Sequence, residues 1–284
     1  MQTLRETIEE FKSTNRALGH FNISDSNQLH AVVAAAKETN LPVIVGLSEG
    51  ERDFFPLMEV RALIDKYQAQ GVQVYLNADH TYGVEKVQHA ISDGVDSVVV
   101  DGAKLPFEEN VHLLATCVKY ARASGRDVLM EGELGYIGTS SNVMDTLPEG
   151  AAITEEMMTK ADELKKLVDE SGLDLVAPAV GNIHGIITSG QPKLSITRIA
   201  ELASTVSIPL VLHGGSGSPD EEFTAAIKAG MTIVHINTDL RVIYRDEVKK
   251  AIDEGKEVAP YKFITPAVRA MQAYVAQKMT LFAE

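Results

Sequence analysis

Eight histidines are spread along the 284 residues, and four of them stand in or just after strand-like runs. His80 closes "VQVYLNADH", His184 lies in "GNIHG", His213 in "LVLHGGSG" and His235 in "MTIVHIN". Three neutral imidazoles with one open position make a divalent-metal site of the catalytic kind, most naturally for Zn²⁺. No local spacing brings His80, His184 and His213 together, so a metal site requires a fold that gathers distant strand ends. The same three also suit separately hydrogen-bonded active-site histidines. His30, His89 and His112 fall inside helical patterns and read as surface or helix–sheet packing, while His20 precedes Phe21 and Asn22 at a strand end.

Asp79 stands directly against His80. Successive strand residues point to opposite faces, so the two are not expected to contact each other; an acid beside a metal ligand can instead shuttle a proton to a substrate oxygen. Asp101, Glu131 and Glu133 end two further strand-like runs. Such acids orient ligating imidazoles or hold an alternative metal position, although each alone reads as a solvated strand-end carboxylate. Glycine-rich pieces suit an anion. "HGGSG" offers the N–H groups of Gly214, Gly215, Ser216 and Gly217, "VGNIHG" supplies Gly181 and Gly185, and "NTD" at 237–239 opens a helix whose first N–H groups are free. Together they point to a phosphorylated small molecule.

These residues need a scaffold. Short apolar runs rich in Val and Ile recur at 18–23, 42–47, 72–77, 95–100, 127–133, 173–180, 208–214 and 231–237, with helical patterns between them. Near-continuous apolar strands are covered on both faces, and eight of them alternating with helices predict a (β/α)₈ TIM barrel, residues 1–284 forming one domain. An open doubly wound sheet fits less well, because no dinucleotide fingerprint follows the first strand. Two helices lie outside the repeat: 1–15, expected to cover the barrel bottom, and 264–281, whose stripe of Val268, Met271, Val275 and Met279 suits core packing or an oligomer interface. The long connection 134–153 is expected to lie over the barrel mouth and to move.

The net charge of −14 disfavours nucleic acid and anionic membranes. The single Cys117 excludes an internal disulfide. The start lacks an apolar signal core and no apolar run reaches spanning length, which predicts a soluble cytoplasmic protein.

In "HFNISD", "LSEG", "ADHTY", "VDGAKLPFEEN", "EGELGYIG", "VGNIHG", "LVLHGGSG", "NTDLR" and "ITPAVRAM", the chain resembles the class II, metal-dependent ketose-bisphosphate aldolases from about residue 5 to residue 282. The resemblance implies Zn²⁺ on His80, His184 and His213, Asp79 as acid/base at the aldehyde or C4 oxygen, and Asp101 and Glu133 around a mobile metal position. It implies that Gly181, Gly185, Gly214, Ser216, Asn237 and Thr238 bind the dihydroxyacetone-phosphate end, with Asn22 and Ser48 at the pocket edge. Cleavage would pass through a metal-stabilised enediolate, with fructose 1,6-bisphosphate the first substrate expected and the tagatose epimer next. A monovalent cation such as Na⁺ or K⁺ and a homodimer or homotetramer belong to the same expectation. A Schiff-base mechanism is disfavoured, since no strand-like run holds a lysine.

The departures fall around carbon chemistry. The family commonly reads ELGxxGGxED, whereas this chain reads "ELGYIGTSSN", with Thr139 for a glycine and Ser141 for the loop acid. Neutral serine is no substitute for a carboxylate base, so Asp145 or Glu149 is a possible replacement from the same loop. The usual "KIN" is "IVH", Ile233 to His235, which makes His235 the second candidate acid/base. Ala103 and Tyr261 replace a frequent Ser and Arg. A barrel hydrolase and a non-catalytic metal-binding barrel are the rival readings.

Overall fold

The computed structural model describes residues 1–284. Eight parallel strands close into a barrel: β1 (Leu18–Asn22), β2 (Val43–Leu47), β3 (Val74–Thr81), β4 (Ser97–Val100), β5 (Leu129–Leu134), β6 (Leu175–Pro178), β7 (Leu210–Leu212) and β8 (Met231–Ile236). Each strand hydrogen-bonds to the next and β8 returns to β1, with helices outside, so the fold is the expected (β/α)₈ barrel.

The strand period of two sorts the interior into layers. At the bottom, Leu18, Ile44, Tyr75, Leu129, Leu175, Val211 and Ile233 pack with Leu4, Ile8 and Phe11 of the first helix, Leu4–Ser13, which plugs the barrel. Two residues further along their strands come His20, Asn77, Glu131, His213 and His235, all buried and polar. Asn22, Asp79 and Glu133 follow two residues later still, at the carboxyl end. Residues of opposite parity, such as Phe21, Val45, Leu76 and Met130, join the outer core between sheet and helices.

Of the two readings of the last stripe, core packing is the one the structure bears out. Met271, Val275 and Met279 of the helix Thr265–Phe282 are buried in the main core, where that helix packs against Ser26–Thr39. The 134–153 connection is likewise better anchored than its composition suggests. Val143–Met144 pairs in parallel with Ile186–Ile187, and Ile137, Ala151 and Ala152 pack in small clusters with Ala179, Ile183 and Ile187.

Strand β3 runs past its apolar stretch, which stops at 77, and contains both Asp79 and His80, as the reading of His80 at its end expects. Its register with β4 shifts between Ala78 and Thr81, and His80 takes a left-handed φ of 37°. That conformation is uncommon outside glycine and costs on the order of 1–3 kcal/mol. It breaks the strand alternation at one residue, and adjacent side chains thereby face the same mouth.

Phe11 is 3% exposed within the bottom plug. Phe11→Ala is expected to destabilise the protein by about 3–5 kcal/mol, measured as a lowered urea midpoint, with metal stoichiometry unchanged in the folded variant.

Candidate active site at the carboxyl end of the barrel

A cavity of ≈ 450 Å³ opens at the carboxyl ends of the strands and is walled almost entirely by polar groups. It brings together Asn22, Ser48, Asp79, His80, His184, Gly185, Gly214, Ser216, His235, Asn237 and Thr238. His213 and Glu133 are buried beside it. Gly181 is not a wall: its φ is +96°, and a Cβ there would lie 2.4 Å from the Lys193 carbonyl oxygen, so glycine is required by the turn.

One donor atom each from His80, Glu133, His184 and His213 lie within 4.8 Å of one another. Each imidazole is oriented through its other nitrogen. His80 Nδ1 donates to Asp101 Oδ2 at 3.0 Å, His184 Nδ1 to the Gly138 carbonyl at 2.8 Å, and His213 Nε2 to Glu131 Oε1 at 2.6 Å. This leaves His80 Nε2, His184 Nε2 and His213 Nδ1 as the free donors. His213 Nδ1 and Glu133 Oε2 are 3.1 Å apart, yet neither has the alignment of a hydrogen bond, and both are buried without another partner. Buried polar atoms are rarely left so, and two side by side fit a shared cation. Asp101, expected at the metal, instead holds His80 and stands outside the donor group.

The electrostatics follow from crowding acids and imidazoles in one buried place. Burial opposes charge on His80, but Asp79 and the hydrogen bond to Asp101 overcome it and push its pKa up to about 9. Asp101 is held at about 2, because the His80 hydrogen bond and charge outweigh burial. Burial and the neighbouring His80 and His213 push His184 down to about 3. His213 is raised well above the usual imidazole range, since Glu131 and Glu133 outweigh burial, and burial raises Glu133.

Asp79 Oδ2 accepts from Asn22 Nδ2 at 2.9 Å. Its Oδ1 has no hydrogen-bond partner and lies 3.9 Å from His80 Nε2 and 3.6 Å from His235 Nδ1. His80, despite burial, holds Asp79 well below the usual carboxylate range, so it is ionised at neutral pH. The loop contributes Thr139, Ser140, Ser141 and Asn142 to the cavity wall. Neither proposed replacement acid reaches it: Glu149 is exposed, and Asp145, also exposed, accepts from Thr188 Oγ1 at 3.2 Å outside the cavity. The Val143–Met144 pairing turns that part of the loop away. Tyr261 is 74% exposed and likewise outside, while Ala103 N–H donates to Asp101 Oδ1 at 3.2 Å.

Charged residues at the rim escaped the sequence reading: Glu49 and Arg241 line the cavity and Glu51 is buried behind it. Glu51, 6% exposed, accepts from Asn22 Nδ2, from the Ser48 N–H and from Arg241 Nη2 at 2.9, 2.7 and 2.6 Å. Arg241 also donates to the Ser141 carbonyl at 3.1 Å, tying loop to rim. The Ser48-x-x-Glu51 capping box was the available signal for Glu51. Arg241 follows Asn237 by one helical turn, in the helix Thr238–Glu254.

The model of the family described as class-II fructose-bisphosphate aldolase matches residues 2–284. The chain belongs to the class-II fructose-bisphosphate aldolase family. The fructose-bisphosphate aldolase of Geobacillus stearothermophilus is 34% identical over 99% of this chain and 96% of its own. That of Staphylococcus epidermidis is 31% identical over the same shares. Among solved structures, the YdjI aldolase from Escherichia coli K12 superposes with a TM-score of 0.82 at 26% identity, covering 98% of this chain and 96% of that one. A putative fructose-1,6-bisphosphate aldolase from Coccidioides immitis gives 0.83 at 25% identity, covering 98% and 95%. The aldolase is thus an aldehyde-lyase of a generally metal-dependent family, and none of its helices is long and apolar enough to cross a membrane.

For a metal ion to be held by His80 Nε2 and His213 Nδ1, both imidazoles, each raised by neighbouring acids, would first have to lose a proton. Because the His80 pKa is raised to about 9, Zn²⁺ affinity is expected to climb about tenfold or more per pH unit below it. Competition against a coloured chelator over several pH values measures this. A flat profile would remove both raised histidines, His80 and His213, from the ligand set.

Proposed function

We propose that this aldolase reversibly cleaves a ketose 1,6-bisphosphate, with fructose 1,6-bisphosphate the first choice, to dihydroxyacetone phosphate and glyceraldehyde 3-phosphate. One observation carries the reading: a convergent histidine–carboxylate donor set shares its cavity with Asp79, whose Oδ1 is buried and unpartnered. His80, His184 and His213 are assigned to Zn²⁺, with Glu133 as the adjoining carboxylate. Bound there, the ion supplies Lewis acidity at the ketose carbonyl and neutralises charge that develops as the carbon–carbon bond breaks.

The other roles belong to protein groups. Ionised Asp79, steadied by Asn22, takes the C4 hydroxyl proton during cleavage and returns it during condensation. Gly214, Ser216, Asn237 and Thr238, which line the cavity at the opening of the helix Thr238–Glu254, are assigned the phosphate, and the guanidinium of Arg241 adds positive charge to the same cavity. With Ser141 in the loop and Asp145 and Glu149 outside, His235 is assigned the carbon-bound proton. It faces the cavity 3.6 Å from Asp79. Burial and the nearby His20 and His213 lower its pKa well below the usual range, so it is neutral and ready to accept that proton in condensation.

Metal-loaded protein given fructose or tagatose 1,6-bisphosphate separately is expected to release both triose phosphates, faster from fructose. Chelation should abolish turnover and Zn²⁺ restore it. Failure with both sugars would sink the substrate assignment, and a faster tagatose reaction would reverse it.

Asp79→Asn is expected to lower kcat by about 10²–10⁴-fold with metal retained. His235→Asn should suppress exchange of the dihydroxyacetone-phosphate carbon-bound proton with solvent. Undiminished exchange would take that role from His235.

A further inference from the structure

His20 takes no part in the reaction described so far. It is fully buried and absent from the cavity wall, so it cannot touch substrate. It is nevertheless built against the one candidate that handles the carbon-bound proton. His20 and His235 are register partners across the β1–β8 seam, and their rings stack with centroids 3.5 Å apart and planes 5° from parallel. The other face of His235 meets His213 at 4.2 Å and 23°. His235 is therefore the middle ring of three.

Both outer rings are fixed from behind. His213 is held by Glu131. Asn77 Nδ2 donates to Ser97 Oγ at 2.7 Å, which leaves its Oδ1 to accept from His20 Nε2–H at 3.1 Å. The His20 ring also occupies the space of a missing side chain on β2. A Cβ at Gly46 would lie 2.1 Å from His20 Cε1, so any larger residue there would displace the ring.

Ligation is a poor account of the pair. A ring nitrogen of His20, one of His235 and an Asp79 oxygen lie within 4.8 Å of one another. Imidazole lone pairs lie in the ring plane, however, and two nearly parallel planes 3.5 Å apart cannot both aim at one ion at about 2.1 Å. What parallel stacking does fix is orientation. With a ring packed on each face, His235 loses the freedom to tilt away from Asp79.

We infer that His20 is a positioning residue for the aldolase reaction, holding the His235 imidazole by stacking so that its Nδ1 edge faces Asp79 and the cavity. The inference rests on the proton-handling assignment of His235. It also gives the Asn77–Ser97 pair and the glycine at position 46 a task, as the supports that keep His20 in plane.

The test is a double-mutant cycle. His20→Gln, which retains an N–H for Asn77 but loses the stacked ring, is made in the natural protein and in His235→Asn. Asn77→Ser, which leaves both imidazoles and cuts the tie behind His20, provides a second route should His20→Gln not fold. Solvent exchange of the dihydroxyacetone-phosphate proton, kcat and KM for fructose 1,6-bisphosphate, bound Zn²⁺ and Tm are measured for each. With His235 present, His20→Gln or Asn77→Ser is expected to slow exchange by about 10- to 100-fold, with KM and Zn²⁺ stoichiometry unchanged. With His235→Asn already in place, neither should slow it further. Equal losses in both backgrounds, or no loss in either, would overturn the positioning role while leaving His235 as assigned. If His235→Asn alone exchanges at the natural rate, the assignment of His235 falls, and the role of His20 falls with it.

Discussion

A layer of imidazoles, amides and carboxylates is buried inside the barrel, and every polar atom in it must find a partner or a ligand. The rest of the site depends on how that constraint is met. Asp101, the Gly138 carbonyl and Glu131 each occupy one nitrogen of a histidine and so determine which nitrogen is left free. Of the atoms left unpartnered in this layer, His213 Nδ1, Glu133 Oε2 and Asp79 Oδ1 lie at or beside the cavity, while His20 Nδ1 is sealed away behind the His235 ring.

The same constraint explains why polar residues can sit so deep. Below them, the apolar layer around Tyr75 and the Leu4–Ser13 helix closes the barrel to water. Above them, Glu51 gathers Asn22, Ser48 and Arg241 into one buried network at the rim. A buried carboxylate is costly unless paired, and here its partners come from the ends of β1 and β2 and from the helix that follows β8. The left-handed turn at His80 is a further cost, accepted at the single place where two adjacent residues must face one mouth.

Much of the fold was legible because strands and helices carry their own periods. Eight Val- and Ile-rich runs gave the barrel, whereas the sorting of its interior into an apolar bottom and polar upper layers came only with the structure. The end of β3 was legible too: its apolar run stops at 77, but His80 was read as closing the strand, which runs to Thr81. The histidines that converge on one donor set could be nominated from their strand-end positions. Asp101 was placed with them, although its side chain turns to His80 instead. Glu51 and Arg241 were missed because their signals, a capping box and a helix-start cation, are ordinary surface features until a barrel mouth gathers them. Gly181 was counted as an anion binder when a close approach to Lys193 already accounts for it.

What the sequence determined by itself was the inventory: the barrel repeat, the imidazoles and acids at strand ends, the aldolase resemblance and the absence of the usual loop acid at Ser141. The tertiary structure decided the relations among them. Which nitrogen of each histidine is free, which loop acids stay outside, and that His20 lies flat against His235 are all properties of side chains from different strands. Their distance and orientation come from closing the sheet, and no local period encodes that closure. The pair "DH" at 79–80 shows the division most simply. Its chemistry is written in two adjacent letters, but its ability to face one cavity comes from a shifted register and one left-handed residue.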